Sequence, residues 1–341
     1  MLSNILPIAL LLSSASASCL HGTSLMPRRL TKRAGEVEVS NFGYTGLTGP
    51  LNWHNIEAGN ELCNTGSNQS PINLDDTVAL ATEAPAIDIA NVEAAEFENL
   101  GTTLETIVNG TTTVGGQAFN LAQFHLHTPS EHRIADEYFP LEMHMVHEAD
   151  DGSGRIVVVA VLFQLSEDGA TTTDLLTAAT QNIADVEEPG TVTETGPLDF
   201  APLVEHLAST PLANYTGSLT TPPCAEDVTF LVTRQPLPLD VATYNKVKAV
   251  IKFNARFTQN SLGQANLLDQ TALANLVAAG GAEEGVEQSL KAVSEDESKV
   301  AAATNESVAA AAPAPATNAE QLYALSSKLQ EVDSAIHEII G

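Results

Sequence analysis

The sequence predicts one β-dominated domain with peripheral helices, followed by a linker and a heptad helix. Three observations lead there. Between residues 34 and 278, short runs rich in Val, Ile, Thr, Phe and Leu are separated by Gly, Pro, Asn and Asp, the pattern of strands joined by turns. Only two stretches in that span carry helical spacing. After residue 278 the large apolar residues thin out and Ala, Glu, Ser, Thr and Pro take over.

Residues 1–18 open with an apolar core, Ile8 to Leu12, followed by small residues from Ser13 to Ser18. This is the shape of a secretory signal, too short and interrupted for a membrane span. Arg28-Arg29 and Lys32-Arg33 follow. The second pair has the form of a processing-protease site, so residues 19–33 read as a pro-segment and the domain as 34–278. The 341-residue chain has a formal net charge of −29, and losing four basic residues makes the remainder more acidic. Such a balance opposes nucleic acid and anionic membrane surfaces, which select Lys and Arg. Cys19 leaves with the leader. Cys63 and Cys224 then form one disulfide in an oxidising compartment, or stand as two unrelated buried thiols. The sequons at Asn68, Asn109, Asn214 and Asn305 fit a secreted glycoprotein, although Asn68 and Asn214 lie close to the motifs below.

Within the domain, strands are expected at 102–108, 118–127, 141–147, 156–165 and 228–233. The run from Ile156 to Phe163 is apolar without a break, which marks a central strand buried on both faces. Residues 172–182 and 240–253 have the spacing of helices. Residues 279–318 have linker composition. In 319–340, Leu322, Leu325, Leu329, Val332, Ile336 and Ile339 alternate spacings of three and four, an a/d seam over about three heptads. The length of the linker favours self-association of this helix over packing back on the domain.

The chemistry concentrates in Gln123-Phe124-His125-Leu126-His127. On a strand, His125 and His127 share one face while Phe124 and Leu126 share the other. Two imidazoles so placed can grip a metal, and His144, in a second strand-like run, can supply a third ligand. Three neutral histidines with one position open is the arrangement of a catalytic zinc, since structural sites usually close with four protein ligands. A bare His-x-His is as often structural as metal-binding. What weighs here is that Gln123 and Glu142 each lie two residues before a ligand, on its face, able to accept its second ring N–H. In Tyr215-Thr216-Gly217-Ser218-Leu219-Thr220-Thr221-Pro222-Pro223-Cys224, two prolines bar helix and central strand. The stretch reads as a rigid loop offering hydroxyls. Thr220 could donate to a carboxylate and accept from a metal-bound hydroxide, and Glu131 could be that carboxylate.

These segments, with Asn68-Gln69-Ser70-Pro71-Ile72 and Asn254-Ala255-Arg256-Phe257-Thr258-Gln259, resemble the signature stretches of the α-class carbonic anhydrases. The resemblance runs in order from about residue 41 to 268 of this sequence and is nearest the compact bacterial and fungal branch. It implies a large, twisted, mostly antiparallel sheet with a conical cleft, and reversible hydration of carbon dioxide to bicarbonate by attack of zinc-bound hydroxide. By residue, it implies Zn2+ on His125, His127 and His144. Thr220 would orient the hydroxide and Glu131 hold Thr220. Gln123, Glu142 and the Asn254 carbonyl would serve the three ligands. Thr221, with the Thr220 N–H, matches the substrate and anion side, and Val146, Val161 and Leu219 match the apolar wall. Cys63 and Cys224 match the disulfide of secreted members.

Two departures stand out. Thr102 falls where the fast members carry a proton-shuttle histidine, and threonine does not titrate near neutral pH, so the proton is expected to leave through water chains to buffer or through another residue. Phe230 stands where many members have Trp. His132 and His147 match non-ligand interior positions. Two other classes remain: a non-catalytic binding module on the same fold, which typically lacks a zinc ligand, and a wall- or matrix-associated protein whose acidity and C-terminal helix matter more than turnover.

Overall fold

The computed structural model describes residues 36–269 of the chain. The signal and pro-segment, the linker, the heptad helix and Asn305 lie outside the described residues. In chain order the strands are β1 (Asn73–Leu74), β2 (Ala86–Asp88), β3 (Glu96–Asn99), β4 (Leu104–Val114), β5 (Gln117–His127), β6 (Arg133–Ile134), β7 (Glu137–Tyr138), β8 (Leu141–Ala149), β9 (Ile156–Leu165), β10 (Val192–Glu194), β11 (Leu212–Ser218), β12 (Glu226–Thr233) and β13 (Leu237–Leu239). The helices are α1 (Trp53–Ile56), α2 (Leu62–Thr65), α3 (Asp174–Ala179), α4 (Ala201–Ser209) and α5 (Val241–Ile251).

The unbroken apolar run becomes β9, with Val157 to Phe163 buried throughout. It sits inside a ten-stranded sheet of order β10-β3-β4-β5-β8-β9-β12-β11, with β13 also on β9 and β2 on β4. The pairings are antiparallel except where β12 and β13 run parallel to β9. Such a strand needs cover on both sides, and it has it. On one face, Val157, Val159, Val161 and Phe163 join Phe124, Leu126, Met143 and Met145 under the helical residues Leu175, Leu203, Leu207 and Val247. On the other, Val158, Ala160 and Leu162 join Val146, Leu219 and Phe230. A third, smaller cluster packs Phe42 and Trp53 around a disulfide between Cys63 and Cys224.

Helix α5 lies within the periodic stretch 240–253, and its first turn is capped: Asp240 accepts the Thr243 N–H at 2.8 Å, a bond whose loss typically costs about 1 kcal/mol. Helix α3 is shorter than its periodic stretch. The Thr180 hydroxyl bonds back to the Leu176 carbonyl at 2.7 Å, and such back-bonding competes with helix continuation. Helix α4 carries buried Leu203 and Leu207 four apart, a face the sequence reading passed over. Strand β11 was also unforeseen: Tyr215 to Ser218 pair with β12, so the hydroxyl-rich loop begins only at Leu219.

Interior His147 lies on β8. Its Nδ1–H donates to the Met145 carbonyl at 3.0 Å, and its Nε2 accepts from the Thr112 hydroxyl at 2.9 Å. Burial pushes its pKa down to about 4, whereas the unfolded imidazole titrates near 6.5. Between those values the unfolded chain holds the extra proton, so stability falls as pH drops from 6.5 towards 4. The His147→Gln variant, compared with wild type by urea unfolding across that window, is expected to lose up to about 1.4 kcal/mol per pH unit of this slope. Identical slopes would refute the assignment.

Candidate active site

Alternation along β5 turns Gln123, His125 and His127 to one face, and the β5–β8 register sets His144 directly across from His125. The three rings converge. One ring nitrogen from each lies within 4.8 Å of the other two, and all three residues are buried. The opposite nitrogens are each committed. His125 Nδ1 donates to Gln123 Oε1 at 2.9 Å, His127 Nδ1 to the Asn254 carbonyl at 2.8 Å, and His144 Nε2 to Glu142 Oε1 at 2.7 Å. Carbonyl and carboxylate oxygens only accept, so these bonds fix the tautomers. His125 Nε2, His127 Nε2 and His144 Nδ1 are left with lone pairs pointing inward. Burial pushes all three imidazoles down in pKa, which keeps them neutral, as metal ligation requires.

The fit of this set to a zinc ion rests on one atom above all. His127 Nε2 is buried and has no hydrogen-bond partner among the described residues. Leaving such an acceptor empty costs about 1–3 kcal/mol, and a cation at its lone pair removes that cost. All-nitrogen donors with an open fourth position suit Zn2+. The residues therefore fit the metal that the sequence implies.

Around the triad sit two buried carboxylates in different surroundings. Burial pushes Glu142 up, but His132 and His144 outweigh it and hold its carboxyl well below the usual range. Burial dominates at Glu131 and raises it to about 7, against the lowering influence of His144, the Arg256 N–H and the Thr220 side chain. Glu131 Oε1 accepts the Arg256 N–H at 2.8 Å, while Oε2 faces His127 Nε2 at 3.5 Å. The side chain of Arg256 is itself buried, donating to the Ser70 carbonyl at 2.8 Å and to Gln69 Oε1 at 2.9 Å.

A cavity opens on the triad. His125, His144, Thr220 and Thr221 give it polar atoms, and Val146, Val158, Leu219 and Phe230 give it an apolar side. One expectation is corrected here. Val161 packs in the core on the far face of the sheet, and Val158, paired with Val146 across β8 and β9, takes the wall position. In an all-apolar strand, alternation does not mark the phase. The β8–β9 turn could have: Val146 and Val158 are mirror positions about Gly152. Thr102 is buried, its hydroxyl on Ser40 at 3.0 Å, and does not line the cavity. Gln123, Asn254 and Glu142 each stand against one ring of the triad, and Glu131 faces His127. Sequence reading missed the chain of bonds from Glu142 to His132 Nδ1 at 2.6 Å, from His132 Nε2 to the Tyr215 hydroxyl at 2.7 Å, and on to Ser70 at 2.9 Å.

Comparison with known proteins agrees with this geometry. Residues 48–269 match the family described as eukaryotic-type carbonic anhydrase. The carbonic anhydrase of Neisseria gonorrhoeae is 34% identical over 225 residues, covering 64% of this chain and 84% of that protein. Among solved structures, a fungal α-carbonic anhydrase from Aspergillus oryzae superposes with a TM-score of 0.65 at 44% identity, covering 68% of this chain and 98% of that one. The chain is also 33% identical over 192 residues to dioscorin DB3L of Dioscorea polystachya, covering 55% of this chain and 68% of that protein.

Removing the Gln123 amide frees one ring without emptying a ligand position. Gln123→Ala is expected to lower zinc affinity by about 10–100-fold, read by competition with a chromophoric chelator, with unchanged far-ultraviolet circular dichroism. Unaltered affinity would show that the Gln123–His125 bond does not tune the site.

Proposed function

The chain belongs to the eukaryotic-type, or α-class, carbonic anhydrases, and from that premise we propose the roles its own residues play in hydrating carbon dioxide. Members of this family are zinc-dependent enzymes that interconvert carbon dioxide with bicarbonate and a proton. His125, His127 and His144 hold the zinc. The observation that carries this assignment is the convergence of three neutral ring nitrogens, each backed by a hydrogen bond on its other side. When bound, the metal lowers the pKa of a water to about 7 and so supplies a nucleophile at neutral pH, a magnitude that is that of carbonic anhydrase itself.

Everything else is done by the chain. Gln123, Asn254 and Glu142 hold the ligand rings in orientation. Thr220 commits its proton to Glu131, so its oxygen can only accept. It thereby turns a proton of the attacking water towards itself and a lone pair towards the substrate. Val146, Val158, Leu219 and Phe230 offer no donor, which suits an uncharged, apolar substrate and holds the bicarbonate product weakly. Thr221 and the Thr220 N–H provide the polar side. Among the described residues, the titratable side chains lining the cavity are His125 and His144, both committed to the metal, so the proton passes through water to buffer.

We extend the reading to the cell. The leader, the dibasic sites and the disulfide between Cys63 and Cys224 support a secreted, glycosylated enzyme, and the heptads of 319–340 support self-association through that helix.

Thr220→Val is expected to lower kcat/KM for hydration by about 100-fold or more while stoichiometric zinc is retained. A variant that keeps both its zinc and its full rate would remove Thr220 from the mechanism. Chelation should abolish activity and zinc restore it, whereas zinc-loaded protein with no hydration would favour a binding module. For the proton route, kcat is expected to rise steeply with buffer concentration in the low millimolar range. A flat response would mean that a side chain carries the proton.

A further inference from the structure

Three of the four sequons lie among the described residues, and the structure treats them differently. We propose that Asn109 and Asn214 carry N-linked glycans and that Asn68 does not. The inference rests on the secretion reading above. The transfer joins the asparagine Nδ2 to the anomeric carbon of a lipid-diphosphate-linked oligosaccharide. The C–O bond to the diphosphate breaks, the lipid diphosphate departs and Nδ2 gives up one proton. Because the sugar is added as the chain enters the compartment, the folded surroundings must leave it room.

Asn109 has that room. It is exposed at the irregularity of β4 where the register with β5 shifts between Ile107 and Gly110, and a bulge re-aims its side chain out of the ladder. Asn214 lies on β11, the terminal strand of the sheet. Asn214 and Thr216, the two recognised residues of its sequon, are both exposed while Tyr215 between them is buried. The backbone there is held on its outer side by the neighbouring segment, the Asn214 N–H donating to the Ala79 carbonyl and the Ala81 N–H to the Leu212 carbonyl, both at 2.8 Å, and the Asn214 side chain is left exposed to solvent.

Asn68 is placed otherwise. It is half-buried. Its Oδ1 accepts the Gly263 N–H at 3.1 Å and its own N–H donates to Glu226 Oε1 at 2.7 Å. The next side chain, Gln69, reaches the Cys224 carbonyl at 3.0 Å. A sugar on Asn68 would stand in the closure between this segment and the Cys224 loop.

The full chain, expressed in a eukaryotic secretory host, is treated with peptide-N-glycosidase in heavy-oxygen water and mapped by mass spectrometry. Label is expected at Asn109 and Asn214 and not at Asn68. Label at Asn68, or its absence at either of the others, overturns the site assignment. Failure to leave the cell behind its own leader would instead sink the secretion reading, and a host signal peptide in place of residues 1–18 keeps the site question answerable.

Discussion

Glu142 Oε1 accepts from His144 Nε2 at 2.7 Å and from His132 Nδ1 at 2.6 Å, while Oε2 accepts the N–H groups of Glu131 and His132 at 2.7 and 2.8 Å. Burying that charge alone would cost several kcal/mol. Four bonds to an ionised acceptor, at about 1.5–3 kcal/mol each, offset it. The carboxylate thus fixes at once the tautomer of a ligand, the backbone of the turn that presents Glu131, and the ring of His132. Because His132 goes on to Tyr215 and Ser70, one residue links the metal-facing strand to β11 and to the N-terminal third of the domain.

The two carboxylates near the triad illustrate how surroundings assign work to identical groups. Glu142 faces donors on every side and stays ionised. Glu131 has fewer: Oε1 accepts the Arg256 N–H, and Oε2 faces His127 Nε2 at 3.5 Å. It accepts a hydrogen bond from the Thr220 side chain, which needs an acceptor and no more. The apolar wall opposite completes the division: one side of the cavity handles protons, the other excludes groups that would hold the product.

Much of this was legible in the sequence, and the reasons are physical. A period of two puts Gln123 with His125 and Glu142 with His144 whatever the rest of the sheet does, so ligands and their supports could be paired before any fold was known. Residues 156–165 were bounded correctly because Gly154 and Arg155 precede the apolar run and Ser166 and Glu167 follow it. The same lack of polar residues hid the strand's phase and misassigned Val161. Strand β11 escaped because its alternation is written in Ala, Asn, Tyr, Thr, Gly and Ser rather than in large apolar residues. The Asn254 carbonyl was expected only through family resemblance. Nothing local in a backbone carbonyl shows that it lies 2.8 Å from a histidine 127 positions away.

The segment at Asn68, Gln69 and Ser70 is clamped to Tyr215, Ser218, Cys224 and Glu226 by bonds that span roughly 150 residues of chain. Contacts so distant in sequence form only after the entropy of closing a long loop has been met. Ordering the loop that carries Thr220 therefore meets that entropic cost in full. The histidines, by contrast, come from β5 and β8, separated by a short excursion, and can assemble early. The ligand strands therefore meet over a short stretch of chain, whereas the loop that completes the site depends on contacts far apart in it.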